Sequence, residues 1–308
     1  MDLSFWIKMT EEREPSYIKL KELLSKKVSD RKVICPVSPT LLVEFRKQPA
    51  SEKLAKYSQL IDGFSQGLSI RNWHSLFKDE FTYITAEKKI ESKVAYSHFA
   101  DAFSSSTRLV FGQQWTEADL KKAGDIIFNH FVQMSVNKVF DIEMDENEIG
   151  NITFIRNRFS QLAEQEKAWR ESHQDTRHVI EQAEFTATVN AVLPLIFSVL
   201  ISATESSAPS FRNLTTTSLE DKKELLDRCS TFWCRYQLMT ALRSNRAFLK
   251  ENDLWDIEHA ATVLPYVTCF ACDGGTRHIC SDVLRLDKRY GTMIVSKVDE
   301  LIEFIELI

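Results

Sequence analysis

Apolar and polar residues recur with helical spacing through most of the chain, and continuous apolar runs of strand length occur near its two ends. Residues 253–264 carry apolar side chains on one helix face, and Pro265 ends that pattern. Residues 266–272 are then all apolar or β-branched, which is typical of a central parallel strand covered on both faces. Asp273 follows directly. The pattern therefore predicts a carboxylate at the carboxyl end of a buried strand, where open α/β sheets bind their ligands.

The same reasoning predicts alternating strands and helices at both chain ends. The predicted elements are a first strand in the apolar run 1–9, a helix over 11–27, a short buried strand over 33–37, a helix that begins at Ser38-Pro39, a last strand over 292–296 and an amphipathic helix over 298–308.

The middle of the chain has helical patterns separated by polar breaks, and no repeat period. The predicted helices cover residues 51–64, 86–104, 116–134, 147–171, 175–201 and 219–249. This organisation predicts an α/β core formed by residues 1–49 and 250–308, which is split by a helical insertion over residues 50–249. The two ends of the insertion are expected to lie close together at the surface of the core.

Four acidic residues fall at predicted strand ends or on predicted helices. Asp2 is either an ordinary residue near the chain start or an acid at the end of the first strand. Glu44 lies among apolar neighbours, so it must be paired, bound to a ligand or turned toward solvent. Asp256 shares a helix face with His259. Taken singly, these acids have ordinary explanations: Asp253, a good N-cap for the helix over 253–264, and Asp256 could cap that helix, and Asp273 with its two glycines could turn the chain after the strand.

In their order and placement, these residues resemble the four-acid pattern of PIN-domain nucleases. The pattern is Asp2 with Ser4 in LSFWI, Glu44 in SPTLLVEF, Asp256 in DIEHAA and Asp273 after an apolar strand. The resemblance covers residues 1–49 and 250–308. It implies an α/β fold with a PIN-like parallel-sheet core and helices on both faces, interrupted here by a large all-helical insertion.

The resemblance also implies a reaction class. Converging carboxylates repel one another, and a hard divalent cation with oxygen ligands, Mg²⁺ or Mn²⁺, relieves that repulsion. Such an ion polarises a phosphodiester and lowers the pKa of a bound water. By this resemblance Asp2, Asp256 and Asp273 are expected to bind the metal. Glu44 is expected to orient a metal-bound water or to complete the site.

Three further residues are candidates for supporting roles. Ser4 is expected to support Asp2 by a hydrogen bond. His259 either contacts a phosphate, orients Asp256, or is an ordinary hydrogen-bonded helix histidine. Arg277 lies just after Asp273 and is a candidate phosphate contact.

PIN domains mainly cut RNA, so RNA is the expected substrate and single-stranded DNA a less favoured one. The family serves as toxins, in defence or in RNA processing, and the sequence does not choose among these roles. The alternative from another class is an inactive PIN-like scaffold that binds a protein or RNA through its helical insertion. A homodimer through the insertion is also open.

Composition limits other functions. The net charge is −5, which leaves room for local basic patches only. Cys269 and Cys272, followed by His278 and Cys280, have a zinc-like spacing, but core packing explains cysteines in a buried strand better. No apolar run is long enough to span a membrane and no secretory signal opens the chain, so a cytoplasmic protein is expected.

Overall fold

The computed structural model describes residues 1–46, 52–85, 95–98, 177–202, 219–245 and 251–308, together with single helical positions between 122 and 168. Most of these residues are helical. The helices are α1 (Leu3–Glu11), α2 (Pro15–Ser29), α3 (Pro39–Arg46), α4 (Glu52–Ser65), α5 (Trp73–Thr85), α6 (Arg177–Ser202), α7 (Leu219–Asp227), α8 (Ser230–Asn245), α9 (Glu251–Val263), α10 (Gly274–Arg277), α11 (Leu286–Tyr290) and α12 (Val298–Glu306). A 3₁₀ turn, Leu264–Tyr266, follows α9, and a π-helix, His278–Val283, follows α10.

The described residues contain two small sheets of two strands each. Strand β1 (Leu68–Ile70) pairs antiparallel with β2 (Tyr96–His98), and β3 (Cys269–Ala271) pairs parallel with β4 (Met293–Val295). The predicted PIN-like parallel-sheet core with helices on both faces is therefore wrong for the described residues. The insertion is not all-helical either, because β1 and β2 lie inside residues 50–249.

The predicted first strand is a helix. Phe5, Trp6 and Met9 are all buried, and their spacing places them on one face of α1 rather than on alternating faces of a strand. Asp2 precedes this helix as its N-cap and accepts a hydrogen bond from the backbone N–H of Leu3. The predicted strand over residues 33–37 is also wrong, since it contributes only an isolated bridge from Val37 to Ser69.

Several predicted elements are confirmed. Helices α2, α3, α4, α6 and α12 form close to their predicted ranges, and β3 and β4 are shorter versions of the predicted strands. Ser38 caps α3, because its Oγ accepts a hydrogen bond from the backbone N–H of Leu41 at 3.1 Å. Pro265 ends α9 as expected, since the α-helix stops at Val263 and the 3₁₀ turn begins.

The middle of the chain matches the prediction only in part. The single helix predicted over 219–249 is two helices, α7 and α8, and α5 was not predicted. Residues 96–98, predicted helical, form β2. The helices predicted over 116–134 and 147–171 lie outside the continuously described ranges. The division into a core of residues 1–49 and 250–308 and an insertion of 50–249 stays a prediction.

Three clusters of buried apolar side chains hold the described elements together. The first joins α1 to α4 with β3, β4 and α12, so residues from both chain ends share one core. The second packs α8 and α9 against β3, β4 and the π-helix. The third lies between α5, α6 and α8. None of the described helices combines the length and the apolar character that a membrane span requires.

Candidate functional site

The four acids named from the sequence come from four separate segments of the fold. Asp2 caps α1, Glu44 lies in α3, Asp256 lies in α9, and Asp273 follows β3. The backbone N–H of Asp2 donates to the carbonyl oxygen of Ala271 at 2.8 Å, so the chain at Asp2 lies directly against the end of β3. This contact brings the first acid beside the last one, although more than 260 residues separate them in sequence.

Asp256 shows that the acids converge electrostatically. Burial first, and then the negative charges of Asp2, Asp273, Glu44 and Asp253 in that order, together raise the pKa of Asp256 to about 8. A carboxyl group responds in this way only when other carboxylates lie near it in a poorly screened environment. The arrangement thus places a protonatable carboxyl at the centre of an acidic cluster, defined here as Asp2, Glu44, Asp256 and Asp273.

Asp2 is held by its immediate neighbours. Its Oδ1 accepts the backbone N–H of Leu3, and its Oδ2 accepts the hydroxyl of Ser4 at 3.1 Å. Burial raises the pKa of Asp2, the hydrogen bonds from Ser4 and Leu3 lower it, and the charge of Asp273 adds a smaller upward effect. The hydrogen bond expected from Ser4 is therefore present, and it fixes the orientation of the Asp2 carboxylate.

Asp273 is exposed and caps the single-turn helix α10. Its Oδ1 accepts the backbone N–H groups of Gly275 at 2.7 Å and Thr276 at 3.2 Å, while its Oδ2 accepts the Thr276 hydroxyl. Asp2 and Asp273 are thus both helix N-caps, a role that the sequence had suggested for Asp253 and Asp256 instead. Each carboxylate has about four lone-pair positions, so these caps leave acceptor capacity for a further ligand.

His259 lies on the inner side of α9. Its ring is buried, its Nδ1 lies 2.7 Å from the Oγ of Ser38, and its centroid lies 5.4 Å from that of Phe270. Burial, with a smaller contribution from the positive chain terminus, lowers the pKa of His259 to about 3. The histidine therefore remains neutral and joins α9 to the N-terminus of α3, which is the structural explanation considered from the sequence.

One residue of the cluster region was not assigned a site role from the sequence. Asp253 was expected to be the N-cap of its helix, but α9 begins at Glu251 and Asp253 lies inside the first turn, where it is buried. Its charge raises the pKa of Asp256, three residues further along the same helix face. The spacing from Asp253 to Asp256 is the sequence signal that indicates this shared face.

The ability of these residues to hold a metal depends on their chemistry and their spacing. Carboxylate oxygens are the donors that Mg²⁺ and Mn²⁺ prefer, and mutual repulsion favours binding of a cation. In the part of the chain that the structure describes, however, no group of three or more His, Cys, Asp or Glu side chains is arranged to hold a metal ion. The donor chemistry fits a divalent cation, although the side chains as placed do not form a metal-binding group.

The cysteine pattern has a different explanation. All six cysteines are free thiols. Cys272 and Cys280 are buried in the second apolar cluster, which confirms core packing as the role of these two side chains. His278 is exposed, and its Nδ1 lies 2.9 Å from the carboxylate of Asp282.

Comparisons of the chain with protein-family models, with curated proteins and with solved structures gave no significant match. The resemblance to PIN-domain nucleases therefore stays a prediction based on the order and placement of four acids. The geometry of the acidic cluster itself is therefore the basis for assigning a function to the protein.

Proposed function

We propose that the protein is a Mg²⁺- or Mn²⁺-dependent ribonuclease whose active site is the acidic cluster. The observation that supports this proposal is the convergence of four carboxylates from α1, α3, α9 and the end of β3, which together with burial raises the pKa of Asp256 to about 8. Grouping like charges costs stability. A fold that nevertheless brings four of them together is typical of a site whose ligand supplies the compensating charge.

The proposed roles follow from position. Asp2, Asp256 and Asp273 would bind the metal ion through the oxygens that their caps leave available. Glu44, half-buried in α3, would orient a water molecule near the ion. When bound, the ion would polarise a phosphodiester and lower the pKa of that water. Ser4 keeps the Asp2 carboxylate in one orientation through its 3.1 Å hydrogen bond.

RNA is the proposed substrate, and single-stranded DNA is a less favoured one. A cytoplasmic location belongs to the same proposal, because six unpaired thiols suit a reducing compartment. The proposal concerns the activity of the acidic cluster and not a PIN-type sheet. Roles as a toxin, in defence or in RNA processing are equally compatible with it.

One observation favours a second candidate function. Asp2 and Asp273 both use carboxylate oxygens to cap helices, so both acids have structural roles that need no metal. In this alternative the protein is a non-catalytic module that binds a protein or RNA through residues 50–249. The two candidates differ in whether the carboxylates of the cluster are needed for any activity.

The decisive experiment is cleavage of labelled single-stranded RNA and DNA with Mg²⁺ or Mn²⁺. Wild type is compared with Asp256→Asn and Asp273→Asn, which each replace a carboxyl group by an amide at nearly constant volume. Asparagine is also a good N-cap, so the second variant should retain α10. Asp30→Asn is the matched control, because it makes the same change at an exposed carboxylate at the end of α2.

The proposal expects cleavage by wild type and by Asp30→Asn, and at least a hundredfold slower cleavage by both cluster variants, in line with the loss of transition-state charge stabilisation. EDTA should abolish cleavage. If wild type does not cut, or if the cluster variants cut as fast as the control, the nuclease proposal fails and the binding module becomes the preferred function.

A further inference from the structure

A second polar site lies beside Arg277, the last residue of α10. It is an open cleft of about 670 Å³, formed by the π-helix, α11 and the start of β4. We call it the basic cleft. The side chains that matter for its chemistry are those of Arg277, Arg285, Lys288, Asp282 and Asp287.

The cations of the basic cleft form no close ion pair. Within the described residues, Arg277, Arg285 and Lys288 have no carboxylate within 4.0 Å, although Asp287 and Asp282, which pairs with His278 at 2.9 Å, also line the cleft. The Nε of Arg277 is buried and has no hydrogen-bond partner among the described residues. Arginine and lysine side chains without a carboxylate partner are strong hydrogen-bond donors for the oxygens of an anionic ligand.

The backbone holds these cations in place. Arg285 has a φ of +55°, a left-handed conformation that side-chain-bearing residues seldom adopt, at the turn between the π-helix and α11. Gly291 ends α11 with a φ of +68°, where glycine carries no steric cost. Both the strained arginine and the neighbouring π-helix are features that occur often at ligand sites.

The basic cleft is connected to the acidic cluster by one turn of helix. Asp273 caps α10 and Arg277 ends it, and four helical residues rise only about 6 Å. A chain molecule with regularly spaced phosphates would thus be able to reach both places at once.

We infer that the basic cleft binds phosphate groups, and that in the protein's function these belong to the backbone of a nucleic-acid strand leading to the acidic cluster. Phosphate binding by the cleft stands by itself. Only the second part of the inference, a nucleic-acid strand that leads to the acidic cluster, rests on the proposed nuclease function. A free phosphate compound has the same recognition chemistry, and the experiment separates the two sources.

The first arm measures strand binding without chemistry. Fluorescence anisotropy follows a labelled 20-nucleotide single-stranded RNA with the full chain in EDTA, at 50 and 200 mM salt. Arg277→Gln, Arg285→Gln and Lys288→Gln each remove one cation of the basic cleft. Lys26→Gln is the matched control, since Lys26 is exposed on α2, which does not line the cleft. Circular dichroism and urea midpoints verify the fold, and Lys288 is exposed, so its substitution should not disturb packing.

For single strands, log K falls by about 0.7 per phosphate contact for each unit of log salt. Each cleft variant should therefore weaken binding and also reduce the change in Kd between the two salt concentrations by about 2.6-fold. Lys26→Gln should leave that change as in wild type.

The second arm uses orthophosphate as the probe. Its effect on the thermal unfolding midpoint is measured for wild type, for the Arg285→Gln/Lys288→Gln double variant and for Lys26→Gln. If phosphate stabilises wild type but not the double variant, while RNA binding is the same in both, the cleft binds a free phosphate compound and the strand part of the inference is overturned. If the cleft variants match the control in both arms, the inference is overturned as a whole.

These outcomes are distinguishable from failure of the proposed function. If the cleft variants lose RNA binding and wild type does not cleave RNA, the inference about the cleft holds and the nuclease proposal fails. If wild type cleaves RNA and the cleft variants keep the RNA binding and salt dependence of wild type, the nuclease proposal holds and the inference about the cleft fails.

Discussion

Asp256→Asn should stabilise the protein above about pH 4. Burial and the charges of Asp2, Asp273, Glu44 and Asp253 raise the pKa of Asp256 to about 8, from an ordinary value of 3.8. Between these two pH values the folded chain holds a proton that the unfolded chain releases. The contribution of Asp256 to the free energy of unfolding therefore falls as pH rises, and it stops falling above pH 8. Asparagine does not ionise, so the variant avoids this loss.

The magnitude follows from the size of the shift. One pKa unit corresponds to about 1.4 kcal/mol, and the span from 3.8 to pH 7 gives an upper limit of roughly 4 kcal/mol. Asp256 is partly exposed, and solvent screening reduces this value. We expect Asp256→Asn to be about 1–3 kcal/mol more stable than wild type at pH 7, and nearly equal to it at pH 4.

Urea unfolding at pH 4, 5.5, 7 and 8 measures this difference, with Asp30→Asn as the control for removal of an exposed charge. The difference between Asp256→Asn and wild type should grow with pH, while Asp30→Asn should follow wild type within about 0.5 kcal/mol. An Asp256→Asn variant that is no more stable than wild type at pH 7 would refute the conclusion that the four acids repel one another.

Metal ions add a second measurement to the same experiment. If the acidic cluster binds Mg²⁺, a concentration one hundred times the Kd should stabilise wild type by about 2.7 kcal/mol. Asp256→Asn should gain much less. Equal gains in both proteins would mean that the ion binds elsewhere.

Three further predictions concern buried side chains outside the acidic cluster. Glu80 is buried and caps α8 by accepting the backbone N–H of Thr231. In urea unfolding at pH 6, Glu80→Ala should lower the free energy of unfolding by about 2–4 kcal/mol and Glu80→Gln by clearly less. Equal losses would contradict the capping role. The pKa of His259 is lowered to about 3, mainly by burial, so the free energy of unfolding should fall by about 1.4 kcal/mol per pH unit as pH drops below 6.5. His259→Gln should flatten that slope. An imidazole that titrates near pH 6.5 by NMR would contradict the prediction. Leu301 is 4% exposed and Leu307 is 89% exposed. Leu301→Ala should therefore lower the free energy of unfolding by about 2–5 kcal/mol, and Leu307→Ala by less than about 0.5 kcal/mol. Similar losses for the two variants would contradict the packing of α12.

Local signals in the sequence were enough to predict several elements. Ser38 with Pro39 marks the start of α3, Pro265 marks the end of α9, and the apolar spacing of residues 298–308 indicates α12. In each case the cap, the proline or the periodic apolar face is decisive within one or two turns of chain, so no distant contact is needed.

The first nine residues show where such signals become ambiguous. An apolar run of this length is consistent with a strand or with a helix, and the resemblance to a nuclease family favoured the strand. Asp2 and Ser4, however, are also typical of a helix start, and Phe5, Trp6 and Met9 have the spacing of one helix face. Packing of that face into the first apolar cluster determines the outcome, and such packing is not visible in nine residues.

Only the part of the candidate site that is close together in sequence was predictable. Asp256 and Asp273 lie within 20 residues of each other, and the helix and strand that position them were both predicted. The approach of Asp2 to Ala271 and the contact of Ser38 with His259 join segments more than 200 residues apart. Contacts of that range depend on the whole fold. The neutral, buried state of His259 could therefore not be inferred from its place on a helix.

The first apolar cluster has a consequence for how the chain is made. It combines α1, α2 and α4, which end at Ser65, with the partly buried and buried side chains of β3, β4 and α12, beyond residue 268. Ribosomes add about 5–20 residues per second, so the early helices wait on the order of 10–40 s for partners some 200 residues later. During that interval α1, α2 and α4 can pack on one another, but the face of α2 that packs against α12 stays uncovered. Synthesis of this protein thus includes a period in which that apolar face of α2 lacks the cover that only the last helix provides.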